Sequence, residues 1–145
     1  MPGQTFRLIG NTSFVSFLAL ALVSVGLARG REKTLYAFPG GSRGDDPQTG
    51  VVSDNDGNLY GTTYYGGAYG WGTVFELKLS KRGWTQNVVY NFMGSKDGFN
   101  PSDNLLIDKA GNLYGDTFYG GTGSGCINAS EGCGTVFELT RANAV

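Results

Sequence analysis

An internal repeat is the feature that most constrains this chain. The hexapeptide GTVFEL occupies Gly72–Leu77 and again Gly134–Leu139, an offset of 62, while GNLYG occupies Gly57–Gly61 and again Gly111–Gly115, an offset of 54. At the 54-residue offset, nearly half of the positions in Leu35–Gly67 are identical to their counterparts. The two offsets differ because the second copy carries eight extra residues within TGSGCINASEGC. A loop can accept such an insertion at little cost in closure entropy, so the insertion is compatible with the repeat. The sequence therefore indicates two copies of one structural unit.

Each unit alternates turn signals with short β-type segments. DNDG and DKAG precede the two NLYG segments, and an Asp that accepts backbone hydrogen bonds, followed by Gly, is typical of a tight hairpin. No helical apolar periodicity follows Ala28, and TVFEL is β-branched and aromatic. The sequence predicts an all-β protein with about four strands per unit: LYAF or VYNF, VVS or LLI, NLYGTTY or NLYGDTF, and GTVFEL.

The size of the unit predicts its architecture. Four antiparallel strands in roughly 50 residues match a β-propeller blade, so we expect two four-stranded, propeller-like blades, from about 35–88 and 89–141. Closed propellers have about 4–8 blades, so two form an incomplete propeller. The chain would then complete a ring as a homo-oligomer, fold as an open two-blade sandwich, or represent part of a longer array.

The N-terminal segment, 1–28, predicts export. Arg7 precedes a short apolar run, Phe14–Ala28, and Gly26 and Ala28 stand where small residues precede a cleavage site. This pattern predicts a signal peptide (1–28) and a mature domain (29–145) that is secreted, extracellular or at the cell surface, with no membrane association after cleavage. The alternative is an uncleaved anchor, for which the run is short of the usual stretch of about 20 apolar residues.

Composition excludes several classes of function. The formal net charge is −1 with no basic cluster, which argues against a nucleic-acid partner. Histidine is absent, which excludes Ser-His-Asp and Cys-His catalysis. We therefore expect no enzymatic activity and no cofactor.

The two cysteines of the chain, Cys126 and Cys133, both lie in the insertion. In an exported protein this spacing predicts a disulfide, worth about 2.5 kcal/mol for so short a loop. A metal or redox pair is the alternative, but two thiolates without histidine make a poor zinc site. Two free thiols are the third interpretation.

DNDGN, which begins at Asp54, resembles the start of a calcium loop. Gly57 falls one position early for such a loop, and the second copy lacks a counterpart of Asp56. A structural hairpin turn is the favoured interpretation, and we expect no metal site.

Three residues are weak ligand-binding candidates: Tyr69, Trp71 and Asp116. Tyr69 and Trp71 lie in a Gly-rich segment and are expected to be exposed, either as a stacking platform or as packing aromatics. Asp116 replaces Thr62 of the first copy. It could face a central channel, bond local amides, or act as a glycan-cleaving carboxylate, although that chemistry needs a second carboxylate at a set separation.

The repeat resembles a known family. NPSDNLLIDKAGNLYGDTFYGG…GTVFEL, with the looser first copy DPQTGVVSDNDGNLYGTTYYGG…GTVFEL, is similar to the GloVer (Gloeo/Verruco-type) tandem repeat of extracellular bacterial proteins over Leu35–Leu139. The resemblance implies an exported, surface-associated, propeller-like module and supplies no catalytic residues. Members usually hold more repeats, and Asp116 departs from the usual Thr.

These observations predict a secreted, non-catalytic repeat module that binds a surface polysaccharide or protein through a propeller-like face. The alternatives are a fragment of a glycan-active propeller enzyme and a structural or degenerate fragment of a longer array.

Overall fold

A computed structural model describes residues 30–123, 125–126 and 131–141. The described strands all lie in one compact unit, Lys33–Val145. The predicted signal peptide lies outside the described residues and stays a prediction. Within the described ranges, no helix is long and apolar enough to cross a membrane. A 3₁₀ turn, Gly41–Arg43, precedes eight strands: β1 (Val52–Ser53), β2 (Leu59–Thr63), β3 (Thr73–Ser80), β4 (Gly83–Asn91), β5 (Phe99–Pro101), β6 (Leu106–Ile107), β7 (Leu113–Tyr119) and β8 (Thr135–Leu139).

The strands form two antiparallel sheets of four strands each, which confirms the predicted all-β fold class. Sheet 1 is a meander in the order β1-β2-β3-β4. In sheet 2, β8 pairs with one edge of β7, while β5 and β6 share the opposite edge. The described residues do not close a ring.

One predicted strand is absent. LYAF, Leu35–Phe38, is not a strand, and its backbone makes no backbone hydrogen bond among the described residues. Its counterpart in the second copy, VYNF, completes β4 of sheet 1, where Tyr90 lies opposite Val74. The same sequence type therefore forms a strand only where a partner strand is available. The sequence pattern also did not predict β5.

The hairpin between β1 and β2 is organised by one carboxylate. Oδ1 of Asp54 accepts hydrogen bonds from the backbone N–H of Asp56 (2.9 Å) and of Asn58 (2.9 Å). Oδ2 accepts from Nδ2 of Asn58 (2.8 Å) and from the hydroxyl of Tyr60 (3.1 Å). The Tyr60 hydroxyl also lies 3.0 Å from Oε1 of Glu76 on β3. Burial and these two carboxylates raise the pKa of Tyr60, so its hydroxyl stays protonated and can donate.

The second hairpin repeats the arrangement. Asp108 accepts from the backbone N–H of Ala110 (2.8 Å) and of Asn112 (2.9 Å), from Nδ2 of Asn112 (2.9 Å) and from the Tyr114 hydroxyl (3.3 Å). The same hydroxyl lies 3.0 Å from Oε1 of Glu138, so its single proton is shared between the two carboxylates. This network explains why GNLYG and GTVFEL recur together. Each Asp already accepts four hydrogen bonds from its own hairpin, which favours the structural turn over a calcium loop.

The core lies between the two sheets. Val74 of sheet 1 packs with Phe92, Phe99, Leu105 and Leu113, all buried. Neighbouring residues of β3 point to opposite faces, yet Val74 and Phe75 are 0% and 2% exposed. Sheet 1 is therefore covered on both faces, which accounts for the nearly continuous apolar sequence of this strand.

Gly115 allows sheet 2 to pack closely. A Cβ at this position would lie 2.6 Å from Cζ of Phe137 and 2.8 Å from Cδ2 of Leu105. Gly61 has the same relation to Phe75, with 2.7 Å to Cζ. The last glycine of GNLYG thus leaves room for the phenylalanine of GTVFEL on the adjacent strand.

We expect Asp54→Ala to lower the free energy of unfolding by about 2–3 kcal/mol, because buried Asn58 and two backbone amides lose a charged acceptor. Urea denaturation measures the change. Asp56→Ala is the matched control in the same turn, since its side chain makes an exposed 3.7 Å ion pair with Arg141, worth under about 1 kcal/mol. Equal losses in the two variants would contradict this role of Asp54.

The same carboxylate predicts acid sensitivity. Burial acts to raise the pKa of Asp54, but hydrogen bonds from Asn58, Tyr60 and the Asp56 amide outweigh it and hold the pKa below its ordinary value of 3.8. A depressed folded-state pKa gives stability that is present above the unfolded pKa and is lost as pH falls through the folded value. Below about pH 4, stability should fall more steeply in the wild type than in Asp54→Ala. Parallel pH profiles would rule out this contribution.

Candidate functional site

The loop between β2 and β3 carries the aromatic candidates. Tyr69 and Trp71 are 57% and 42% exposed. The Trp71 ring centroid lies 4.8 Å from that of Phe99 on β5, and Phe99 stacks on Tyr119 at 5.2 Å. The backbone N–H of Asn100 donates to the carbonyl of Trp71 (2.9 Å). Trp71 therefore lies at the junction of the two sheets, at the exposed end of an aromatic row.

A cavity of about 680 Å³ opens beside this row. Trp71 and Phe99 line it together with glycine-rich backbone, including Gly120, Gly121 and Gly132. Two side chains of opposite charge, Lys96 and Glu131, also line it, together with the hydroxyl side chains of Ser95 and Thr122. The cavity thus combines an aromatic surface, side-chain hydroxyls and one charge of each sign.

Gly94 sets the position of the indole. A Cβ at Gly94 would lie 2.6 Å from Cδ1 and 2.8 Å from Cε2 of Trp71. Its φ of +81° is also a conformation that other residues rarely adopt. Only glycine at this position lets the Trp71 ring lie directly against the backbone.

The insertion of the second copy forms part of the cavity. Cys126 and Cys133 are joined in a disulfide, as the sequence predicts, with Cα atoms 5.5 Å apart. The backbone N–H of Gly120 donates to the carbonyl of Glu131 (2.6 Å), which ties the insertion to the end of β7. At the 62-residue offset, Cys133 is the counterpart of Trp71 and Glu131 is the counterpart of Tyr69. The aromatic candidates therefore occur in one repeat only.

Asp116 lies elsewhere, on β7, in a separate depression of about 220 Å³ that it lines with Asp103. In sheet 1 the counterpart positions hold Thr49 and Thr62, whose hydroxyls are 3.1 Å apart. Oδ1 of Asp116 is buried and has no hydrogen-bond partner among the described residues. Burial, followed by the charge of Asp103 and a hydrogen bond with it, raises the pKa of Asp116.

The three candidates divide between two places. Trp71 lines the junction cavity, with Tyr69 exposed on the same loop, whereas Asp116 belongs to a separate surface. Within the ranges that the structure describes, no group of three or more His, Cys, Asp or Glu residues could hold a metal ion.

Sequence reasoning missed Asp103, Lys96, Phe99 and Glu131. The sequence did contain a signal for Asp103. When the two copies are aligned, Thr49 and Thr62 of the first copy are both replaced by Asp in the second. No sequence pattern could have placed Phe99 beside Trp71, since that contact depends on how the sheets pack.

The carboxyl pair predicts a pH effect opposite in sign to that of Asp54. A raised folded-state pKa means that the folded chain holds the proton more tightly than the unfolded chain. Stability therefore falls as pH rises from about 3.8 through the folded pKa of Asp116. We expect Asp103→Thr/Asp116→Thr to remove this decline and to raise the melting temperature at pH 7. Asp103→Thr alone should give part of the change, because burial of Asp116 remains. A double variant less stable than the wild type at pH 7 would contradict the assignment.

The comparisons with known proteins agree with the repeat. The profile of the Gloeobacter/Verrucomicrobia repeat matches residues 21–145, which is most of the chain and includes both copies of each motif. No curated protein and no solved structure matches. This chain belongs to the Gloeobacter/Verrucomicrobia repeat family.

Proposed function

We propose that the protein is a secreted, non-catalytic module of a propeller-like array and binds a surface polysaccharide in the cavity beside Trp71. The observation that carries the proposal is the half-exposed indole over a glycine-lined cavity at the junction of two sheets. The apolar run Phe14–Ala28 and the Cys126–Cys133 disulfide support export, because disulfides persist in oxidising compartments.

The cavity suits a sugar ring. A pyranose has an apolar C–H face and a polar hydroxyl rim, so the first can pack on an indole while the second bonds with polar groups. Trp71 and Phe99 supply the aromatic surface, and Lys96, Glu131 and the hydroxyls of Ser95 and Thr122 supply donors and acceptors. The volume of about 680 Å³ lies within the range usual for small-ligand sites. A concave site of this kind favours a polysaccharide over a protein, which usually needs a broad, flatter contact.

Binding fits better than cleavage. Glycosidase chemistry needs two carboxyl groups that flank the bound sugar, whereas Asp103 and Asp116 together line the depression on β7. The pair also lies outside the cavity that contains Trp71. These observations support a binding module rather than a glycan-active enzyme fragment.

We expect Trp71→Ala to weaken polysaccharide binding at least tenfold, as truncation of a central aromatic contact usually does. Calorimetry against soluble neutral and acidic polysaccharides measures affinity. Tyr65→Ala is the matched control, since Tyr65 is 51% exposed and does not line the cavity. In a Trp84→Phe background, Trp71 is the sole tryptophan, and its fluorescence should change on binding. Equal affinity of the Trp71 and Tyr65 variants would contradict the assignment.

A further inference from the structure

One face of sheet 2 is exposed although the same face of sheet 1 is buried. Val136 of β8 is 86% exposed, whereas its counterpart Val74 is 0% exposed. Leu106 of β6 is 70% exposed, whereas its counterpart Val52 is half-buried and packs against the core. We call the exposed surface the outer face of sheet 2; it comprises Leu106, Tyr114, Asp116, Phe118 and Val136.

Sheet 1 shows how this face is covered within one chain. In sheet 1 the face with Val74 packs against sheet 2, and β4 pairs with the outer edge of β3. In that pairing Val74 lies opposite Tyr90, and Thr73 lies opposite Asn91. Among the described residues, no strand pairs with the corresponding edge of β8. Sheet 2 thus presents both an open face and an open strand edge.

The same chain carries a segment of the matching type. Leu35–Phe38 is the repeat counterpart of Val89–Phe92, which ends β4 and leads to sheet 2. Phe38 packs edge-on against Phe75 at 4.9 Å, as Phe92 packs against Phe137 at 5.2 Å. The segment is therefore placed against its own following sheet as its counterpart is, but its backbone has no strand partner among the described residues.

We propose that the outer face of sheet 2 and the edge of β8 dock a second copy. The docked surface of that copy is the face of sheet 1 that carries Phe75 and Phe38, and its residues Leu35–Ala37 add antiparallel to β8. The register of β3 and β4 places Tyr36 of the second copy opposite Val136 and Ala37 opposite Thr135. The contact continues the interface that already joins the two sheets within one chain. Because it uses different surfaces on each copy, it produces either a closed ring or an open filament. It does not involve the Trp71 cavity and is independent of the proposed polysaccharide binding.

Two differences make this contact weaker than the one within the chain. Nδ2 of Asn100 donates to the Tyr64 carbonyl across the internal interface (2.7 Å), but the counterpart of Asn100 is Asp46, which has no donor when ionised. The outer face also holds Asp116 and its neighbour Asp103 where sheet 1 has two threonines, and burial of charged carboxylates opposes docking. The association is therefore concentration-dependent, and the carboxyl pair limits its strength.

Cross-linking tests the register. Full-length chains with Tyr36→Cys and with Val136→Cys are mixed under mild oxidation, because directly opposed antiparallel positions bring Cβ atoms within reach of a disulfide. Tyr36→Cys mixed with Thr85→Cys is the control, since Thr85 is exposed on sheet 1 and, paired with Lys78, lies on the face opposite to that of Phe75, outside the proposed contact. We expect at least ten times more mixed dimer than in the control. A yield equal to the control overturns the proposed register.

Sedimentation equilibrium tests the contact without cysteines. We expect Val136→Glu to raise the dissociation constant at least tenfold, Thr85→Glu to leave it unchanged, and Asp103→Thr/Asp116→Thr to lower it about tenfold. Circular dichroism confirms that each variant is folded. If the wild type and the double threonine variant are both monomeric up to about millimolar concentration, the proposal is wrong and another partner covers this face. Polysaccharide titrations of the same samples report separately on the Trp71 cavity.

Discussion

A carboxylate–amide–hydroxyl network in each hairpin is the interaction on which the rest of the structure depends. One Asp closes the turn by accepting hydrogen bonds from two backbone amides. The hydroxyl of the Tyr that follows lies between this Asp and the Glu of the adjacent strand. Three strands are therefore fixed in register by side chains that are close in sequence. A small domain without helices gains from such local polar bonds, because its sheets alone bury limited surface. The network occurs twice, so each sheet can take its register independently of the other.

The packing of the large aromatic side chains depends on glycines, which have no side chain of their own. Gly61 and Gly115 leave space for Phe75 and Phe137, and Gly94 leaves space for Trp71. Hydrogen bonds determine which strands pair and in what register. Glycines determine how closely the aromatic side chains approach the backbone. The junction cavity is a product of the second rule, since it forms where glycine backbone meets an aromatic row.

The local part of this organisation could be read from the sequence, and the long-range part could not. The hairpins, the strands around GNLYG and GTVFEL, the two four-stranded sheets and the disulfide follow from turn chemistry, strand composition and cysteine spacing. Leu35–Phe38 failed as a strand because strand formation requires a partner, which no local pattern reveals. Trp71 and Asp116 were candidates by residue type, but their neighbours Phe99, Lys96, Glu131 and Asp103 come together only through tertiary packing. The repeat alignment held one unused signal, the paired change from Thr49 and Thr62 to Asp103 and Asp116.

The replacement of Trp71 by Cys133 at equivalent positions has a consequence for periodicity. The backbone arrangement repeats with every sheet, but the indole does not. Only one of the two equivalent loops has a tryptophan, because the other has a disulfide-bonded cysteine at that position. In a head-to-tail assembly, identical cavities would therefore recur at intervals of two sheets rather than one. A polysaccharide could then bind several of these weak sites at once. Its avidity would depend on whether the spacing of its repeating units matches the spacing of the cavities.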